Sequence, residues 1–106
     1  MTLEGANVRE IDYGDLSKED ADACHRVLQR AMDVHVEREH IRHGLWKKYT
    51  ALDQARQAKI KIERVVQALE YAIREGTPLP TVDLLEEVPD IINYSIFTAR
   101  ILKGEI

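Results

Sequence analysis

The 106-residue chain has one cysteine and no apolar run long enough to cross a bilayer. The single Cys24 cannot form an internal disulfide, which is typical of a protein kept in a reducing compartment. A transmembrane helix needs about 18–20 consecutive apolar residues, and the N-terminal sequence MTLEGANVREIDYGDLS lacks the basic-then-apolar order of a signal peptide. These absences predict a soluble, cytoplasmic protein with no membrane partner.

Basic charge is also scarce, since 15 Lys and Arg residues are outnumbered by 19 Asp and Glu residues and the formal net charge is −4. Neither end is strongly basic, so we expect no general surface patch for nucleic acid. Apolar residues make up 44% of the chain and charged residues 32%, which predicts a folded domain. At this length a helical domain often gains stability by pairing with a second copy.

Strand-like alternation and internal repeats are missing, and helical periodicity is what remains. Residues 1–16 form a predicted N-terminal arm, and residues 17–106 form a single all-α domain. The short Gly- and Pro-containing segment 76–80 predicts that the last two helices pair as an antiparallel hairpin. The three helices are expected near residues 18–43, 51–75 and 82–103.

The ends of these helices carry local signals. Ser17 and Thr50 are suited to cap the first two helices, because a hydroxyl oxygen can accept from a free backbone N–H of the first turn. Thr81 is the corresponding candidate for the third helix. Pro89 lies inside that helix and lacks an N–H, so we expect a kink or a short break near Leu85.

The third helix carries two stripes of side chains when its positions are spaced by about 100°. We interpret the larger, apolar stripe as the core face. Phe97, Tyr94 and Ile101 lie off this core face and predict a homodimer, although packing on the first helix would also explain them. The apolar stripe contains Leu84, Val88, Ile91, Ile92, Ser95, Ala99 and Leu102. The nearly opposite stripe and its flanks contain Glu86, Asp90, Asn93, Phe97, Tyr94 and Ile101.

The motif Lys61-Ile-Glu-Arg64, followed by a Gly/Pro turn and Glu86-Glu-Val-Pro-Asp90-Ile-Ile-Asn93-Tyr94, resembles small phage and bacterial domains associated with nucleotide modification. Those domains look like distant relatives of the MazG-like all-α nucleoside triphosphate pyrophosphohydrolases. The likeness covers roughly residues 45–102. It implies a nucleotide ligand and paired carboxylates on neighbouring antiparallel helices that hold Mg²⁺ against the phosphates.

The resemblance assigns candidate metal ligands to Glu86, Glu87, Asp90 and Glu70. Magnesium takes oxygen ligands, so such carboxylates are chemically suited to it. The Glu-x-x-Glu half of the MazG-like motif is absent, and Gln67-x-x-Glu70 stands at the equivalent position. This departure leaves enzymatic activity open.

Lys61, Arg64, Asn93 and Tyr94 are the candidate ligand-binding residues. Lys61 and Arg64 can contact phosphate oxygens, whereas Asn93 can bond to a base and Tyr94 can stack on it. A solvent-exposed Lys and Arg pair is the simpler alternative.

Histidines give a rival metal hypothesis. His35, Glu39 and His43 share one side of the first helix, and Glu37-x-x-His40 has the spacing used in di-iron bundles, but a second such pair is missing. Three functions remain open. The first is a nucleotide-binding protein of MazG-like type, for which Mg²⁺-dependent pyrophosphohydrolysis is left open. The others are a non-catalytic phage-type accessory protein that binds a nucleotide or a partner protein, and a structural helical oligomer.

Overall fold

A computed structural model describes residues 14–105, and within this range the chain forms α-helices and no β-strand. The helices are α1 (Lys18–Arg42), α2 (Ala51–Glu75) and α3 (Thr81–Leu102), with a short 3-10 turn (Leu45–Lys48) between α1 and α2. The all-α class is therefore confirmed, and each predicted helix boundary is correct to within one residue. Most of the predicted N-terminal arm lies outside the described residues. In the described part of the chain, no helix is both long and apolar enough to span a membrane.

The first two helices begin where their capping residues predict. The Ser17 hydroxyl accepts a hydrogen bond from the backbone N–H of Asp20 at 3.0 Å. Thr50 and Asp53 form a reciprocal box, in which each side chain accepts from the other residue's backbone N–H at 3.1 and 2.9 Å. These bonds satisfy backbone donors that the first turn of a helix leaves without a partner.

The third helix starts differently from the prediction. Thr81 is its first residue rather than its cap, because the Pro80 carbonyl already accepts from the Leu84 N–H at 3.0 Å. The break expected near Leu85 is absent, and α3 continues through Pro89. Pro89 is buried, and because it has no N–H it leaves one backbone hydrogen bond of the helix unformed.

Two consecutive left-handed residues end α1 and start the 3-10 turn. His43 has a φ of 49° and Gly44 a φ of 73°. The Glu39 side chain holds this reversal by accepting from the Gly44 N–H at 2.8 Å. The reversal directs the 3-10 turn, and with it Trp46, back towards α3.

The buried side of α3 is the polar stripe, and not the apolar stripe that we interpreted as the core face. α3 packs against both α1 and α2, and the side chains that become buried there are Pro89, Asp90, Asn93 and Phe97. Leu102, a member of the apolar stripe, remains 74% exposed. The core-face interpretation was wrong because α1 approaches α3 from the polar side.

Phe97 is part of this core, so its predicted position in a dimer contact is also wrong. It is 8% exposed and stacks on Trp46, with ring centroids 4.4 Å apart and an interplanar angle of 12°. The His35 ring packs on it from α1 at 5.1 Å. The alternative of packing on the first helix therefore holds for Phe97.

Candidate functional site

An aromatic cluster closes one end of the space between the helices. Trp46 and Phe97 stack as described, and Tyr94 meets the Phe97 ring edge-on at 6.3 Å between centroids. The side-chain N–H of Gln54 donates to the Trp46 carbonyl at 3.0 Å, and both residues are buried. This bond holds the 3-10 turn against the first turn of α2, which places the aromatic rings beside the open end of the helices.

A cavity of about 450 Å³ lies next to this cluster, between α1, the 3-10 turn, α2 and α3. Its volume falls in the range of about 300–1,000 Å³ that is usual for small-molecule sites. Its walls combine aromatic rings, amides and charged groups. The aromatic and amide side chains are Trp46, Tyr49, Tyr94, Phe97, Gln54, Gln57 and Asn93. The charged side chains are Arg38, Arg42, Arg56, Glu39, Asp53 and Asp90.

Each of the three carboxylates in this wall already accepts from a donor of the protein. Glu39 accepts from the Gly44 N–H, and Asp53 accepts from the Thr50 N–H at the start of α2. The bonds with the Thr50 backbone and side chain, helped by the nearby Arg56, hold the pKa of Asp53 below its ordinary value. The third carboxylate, Asp90, is bound by two cations.

Asp90 is the centre of an ion-pair network that joins all three helices. It is 8% exposed and is contacted by Arg38 from α1 and by Lys61 from α2, the latter at 3.2 Å. Lys61 Nζ also lies 3.1 Å from Glu87 on α3. Burial by itself lowers the pKa of Lys61, but the bonds to Glu87 and Asp90 outweigh this effect and raise its pKa above the ordinary value.

The arginines of the cavity differ in their partners. Arg38 is committed to Asp90. Arg42 and Arg56 form no ion pair with a carboxylate anywhere in residues 14–105, although Arg56 acts on Asp53 through its charge. The cavity therefore has carboxylates that are already bonded and two guanidinium groups with capacity for an added anion.

Asn93 is buried between α1 and α3 with one side of its amide unmatched. Its Nδ2 donates to the Ala31 carbonyl at 2.9 Å. Because a carbonyl oxygen only accepts, this contact fixes the orientation of the amide. The Asn93 Oδ1 is buried and has no hydrogen-bond partner among the described residues. An unmatched buried acceptor of this kind costs about 1–3 kcal/mol.

The structure brings together part of the predicted site. Lys61, Glu87 and Asp90 are in direct contact, and Asn93 and Tyr94 line the cavity beside them. The partner of Asp90 on α2 is Lys61, and Gln67, which stands at the position equivalent to the missing carboxylate, is exposed.

Other predicted residues lie away from this cavity. Arg64 and Glu70 are exposed on α2, and Glu86 is exposed beside a separate groove between α1 and α3. In the range 14–105, no group of three or more His, Cys, Asp or Glu side chains is arranged to hold a metal ion. The magnesium set stays a prediction.

Arg38 is the main residue that the sequence interpretation missed. It reaches Asp90 across 52 positions of sequence, a contact that its place on α1 does not predict. The four-residue spacing of Arg38 and Arg42 places them on neighbouring turns of one helix, and this spacing was the signal in the sequence that the two arginines share one face of α1. That spacing does not tell which way the pair points.

Comparison with protein-family models finds no matching family, and comparisons with curated proteins and with solved structures find no match. The resemblance to MazG-like enzymes therefore rests on the quoted motifs alone and stays a prediction. Function has to be inferred from the cavity and its chemistry.

Proposed function

We propose that the protein binds a small ligand that has an anionic group and a planar ring, and that a nucleotide is the class that best matches the cavity. The observation that carries this proposal is the pair of arginines, Arg42 and Arg56, beside aromatic rings in a cavity whose carboxylates are already bonded. A guanidinium group is planar and can donate two parallel hydrogen bonds to phosphate or carboxylate oxygens.

The ring would lie against the aromatic part of the cavity. Tyr49 is 51% exposed and Tyr94 is half-buried, so both rings offer surface to a ligand. Trp46 and Phe97 are stacked on each other and form the floor behind them. A planar ring stacked on such side chains gains about 1–3 kcal/mol per base in known nucleic-acid complexes.

The test is nucleotide binding by calorimetry and thermal shift, with ATP and a set of deoxynucleoside triphosphates. Arg42→Gln is expected to weaken binding by about 10- to 150-fold, because a hydrogen bond to a charged group contributes about 1.5–3 kcal/mol. Arg74→Gln is the matched control, since Arg74 is exposed on α2 outside the cavity. Equal effects of both changes, or no binding of any nucleotide, would contradict the proposal.

Magnesium-dependent pyrophosphohydrolysis is a narrower form of the same proposal. It is supported by the proximity of Glu87 and Asp90, which share Lys61 as a partner. The Lys61 ammonium stands between these carboxylates, where a bound cation would stand, so we favour binding over metal-dependent turnover. Adding Mg²⁺ to the nucleotide assay separates the two, because pyrophosphate release would support hydrolysis and binding without release would support an accessory role.

We also propose that α2 and α3 form an antiparallel hairpin and that the protein is a homodimer. The hairpin is supported by the short segment 76–80 and by the order of contacts. Lys61 pairs with Glu87, whereas Gln57, earlier in α2, shares the cavity with Phe97, later in α3. Mass measurement in solution tests the dimer.

A further inference from the structure

Two apolar stripes remain exposed on α2 and α3, and we call them together the uncharged face. On α2 the spacing of the stripe is seven, four, three and four residues, which is the spacing of a helix–helix seam. At about 100° per residue, no charged position falls within either stripe. The members on α2 are Ala55, Ile62, Val66, Leu69 and Ile73. The members on α3 are Leu85, Val88, Ile92, Ser95 and Ala99.

The described protein leaves much of this face in water. Ile73 is 76% exposed, and Ile62, Val66 and Leu85 are also exposed. Among residues 14–105 the buried apolar side chains are few, and half of them are alanines: Ala21, Ala31, Val34, Trp46, Ala72 and Phe97. A chain of this size that buries so little apolar surface gains stability from covering more.

Most of the face lies away from α1, whereas its members Leu85 and Val88 also line the groove between α1 and α3. On α3, α1 contacts Asn93 and Asp90, and Ile92 lies about 100° round the helix from Asn93. On α2, Val66 lies about 140° round the helix from Lys61, which points at α3. In an antiparallel hairpin, these rotations carry both stripes to the same side.

We infer that the uncharged face is the surface on which a second copy of this chain packs, related by a two-fold axis. This inference rests on the homodimer proposed above and replaces the contact through Phe97 that the sequence suggested. A two-fold interface places the same patch on both copies, and a patch without charges meets itself without like-charge repulsion.

The size of the face matches such an interface. Helices of 25 and 22 residues are about 37 and 33 Å long, and neighbouring helices lie about 8–10 Å apart. The face therefore has a projected area of roughly 600 Å². Its accessible surface area is larger than this, because its side chains protrude. Standard interfaces bury about 800 Å² per partner. Ala55, Ser95 and Ala99 are small enough to let the backbones of two copies approach closely.

The test is the molar mass of ligand-free protein by light scattering at micromolar concentration. The wild type is expected at twice the 12.2 kDa chain mass, and Val66→Glu is expected at the chain mass. Ile41→Glu is the matched control, since Ile41 is exposed on α1 away from the face, and it should stay dimeric. A monomeric wild type would overturn the homodimer, and a dimeric Val66→Glu would overturn this face alone.

A second variant covers the case in which Val66→Glu fails to fold. Ile62→Cys in a Cys24→Ser background is expected to form a disulfide-linked dimer on mild oxidation. Ile62 follows Lys61, which pairs with Glu87, so Ile62 lies level with the α3 stripe near the middle of the face. Glu63→Cys in the same background is the control, since Glu63 lies outside both stripes. Cross-linking through Glu63→Cys with none through Ile62→Cys would overturn the inference. Nucleotide is absent from both experiments, so failure of the ligand proposal does not alter their outcome.

Discussion

Replacing Asp90 by Asn distinguishes a structural carboxylate from one kept for ligand chemistry. The change keeps the size of the side chain and removes its charge. Arg38 and Lys61 then lose their shared anionic partner, in a site where the carboxylate is 8% exposed. We therefore expect a lower free energy of unfolding.

The magnitude follows from the exposure of the two cations. Breaking a fully buried ion pair costs about 3–5 kcal/mol, whereas an exposed pair contributes about 0–1 kcal/mol. The Arg38 side chain is 42% exposed and can turn to water, so its pair belongs near the lower figure. The Lys61 side chain is 20% exposed but keeps Glu87 as a partner, which reduces its loss. For the two ion pairs together, we expect the free energy of unfolding to fall by about 2–3 kcal/mol.

Urea unfolding followed by circular dichroism, at one fixed protein concentration, measures this loss. In thermal unfolding, the same loss should lower the melting temperature by about 8–24 °C, since a domain of this size loses about 4–8 °C per kcal/mol. Glu86→Gln is the matched control, because Glu86 is an exposed α3 carboxylate with no ion pair among the described residues, and its effect should stay within about 0.5 kcal/mol. An unchanged or higher stability of Asp90→Asn would refute the structural role and would indicate carboxylates that repel one another, as in an empty cation site.

Two further changes test local features of the backbone. His43→Gly should stabilise the protein by about 0.5–1 kcal/mol in urea unfolding, because φ is 49° at this position and glycine adopts a positive φ without strain. Gly44→Ala, at a φ of 73°, should destabilise it for the same reason. A change of the same sign for both variants would contradict this account. The pKa of Asp53 is lowered from 3.8, so its cap stabilises α2 above that pH and the stabilisation disappears as the pH falls through the folded-state pKa. Asp53→Asn should therefore reduce the acid dependence of unfolding, and an unaltered pH profile would show that the cap does not contribute.

Local sequence was sufficient for the number of helices and for nearly all of their ends. A capping hydroxyl such as Thr50 acts on backbone N–H groups within three residues, and Gly76 ends α2 through its own backbone angles. Neither effect depends on what packs against the helix. The choice of Lys61, Asn93 and Tyr94 as ligand-binding candidates came from the motif resemblance, and their role in binding stays a prediction.

The inward side of α3 could not be obtained in this way. A helix with Leu85 and Ile92 on one side and Phe97 on another has two faces that can be buried, and its own periodicity does not choose between them. The choice is made by α1, whose Arg38 and Ala31 bind Asp90 and Asn93 across more than fifty residues of chain. A polar stripe becomes the buried stripe because another helix supplies partners for its charge and its amide, and only the packed arrangement of three helices contains that information.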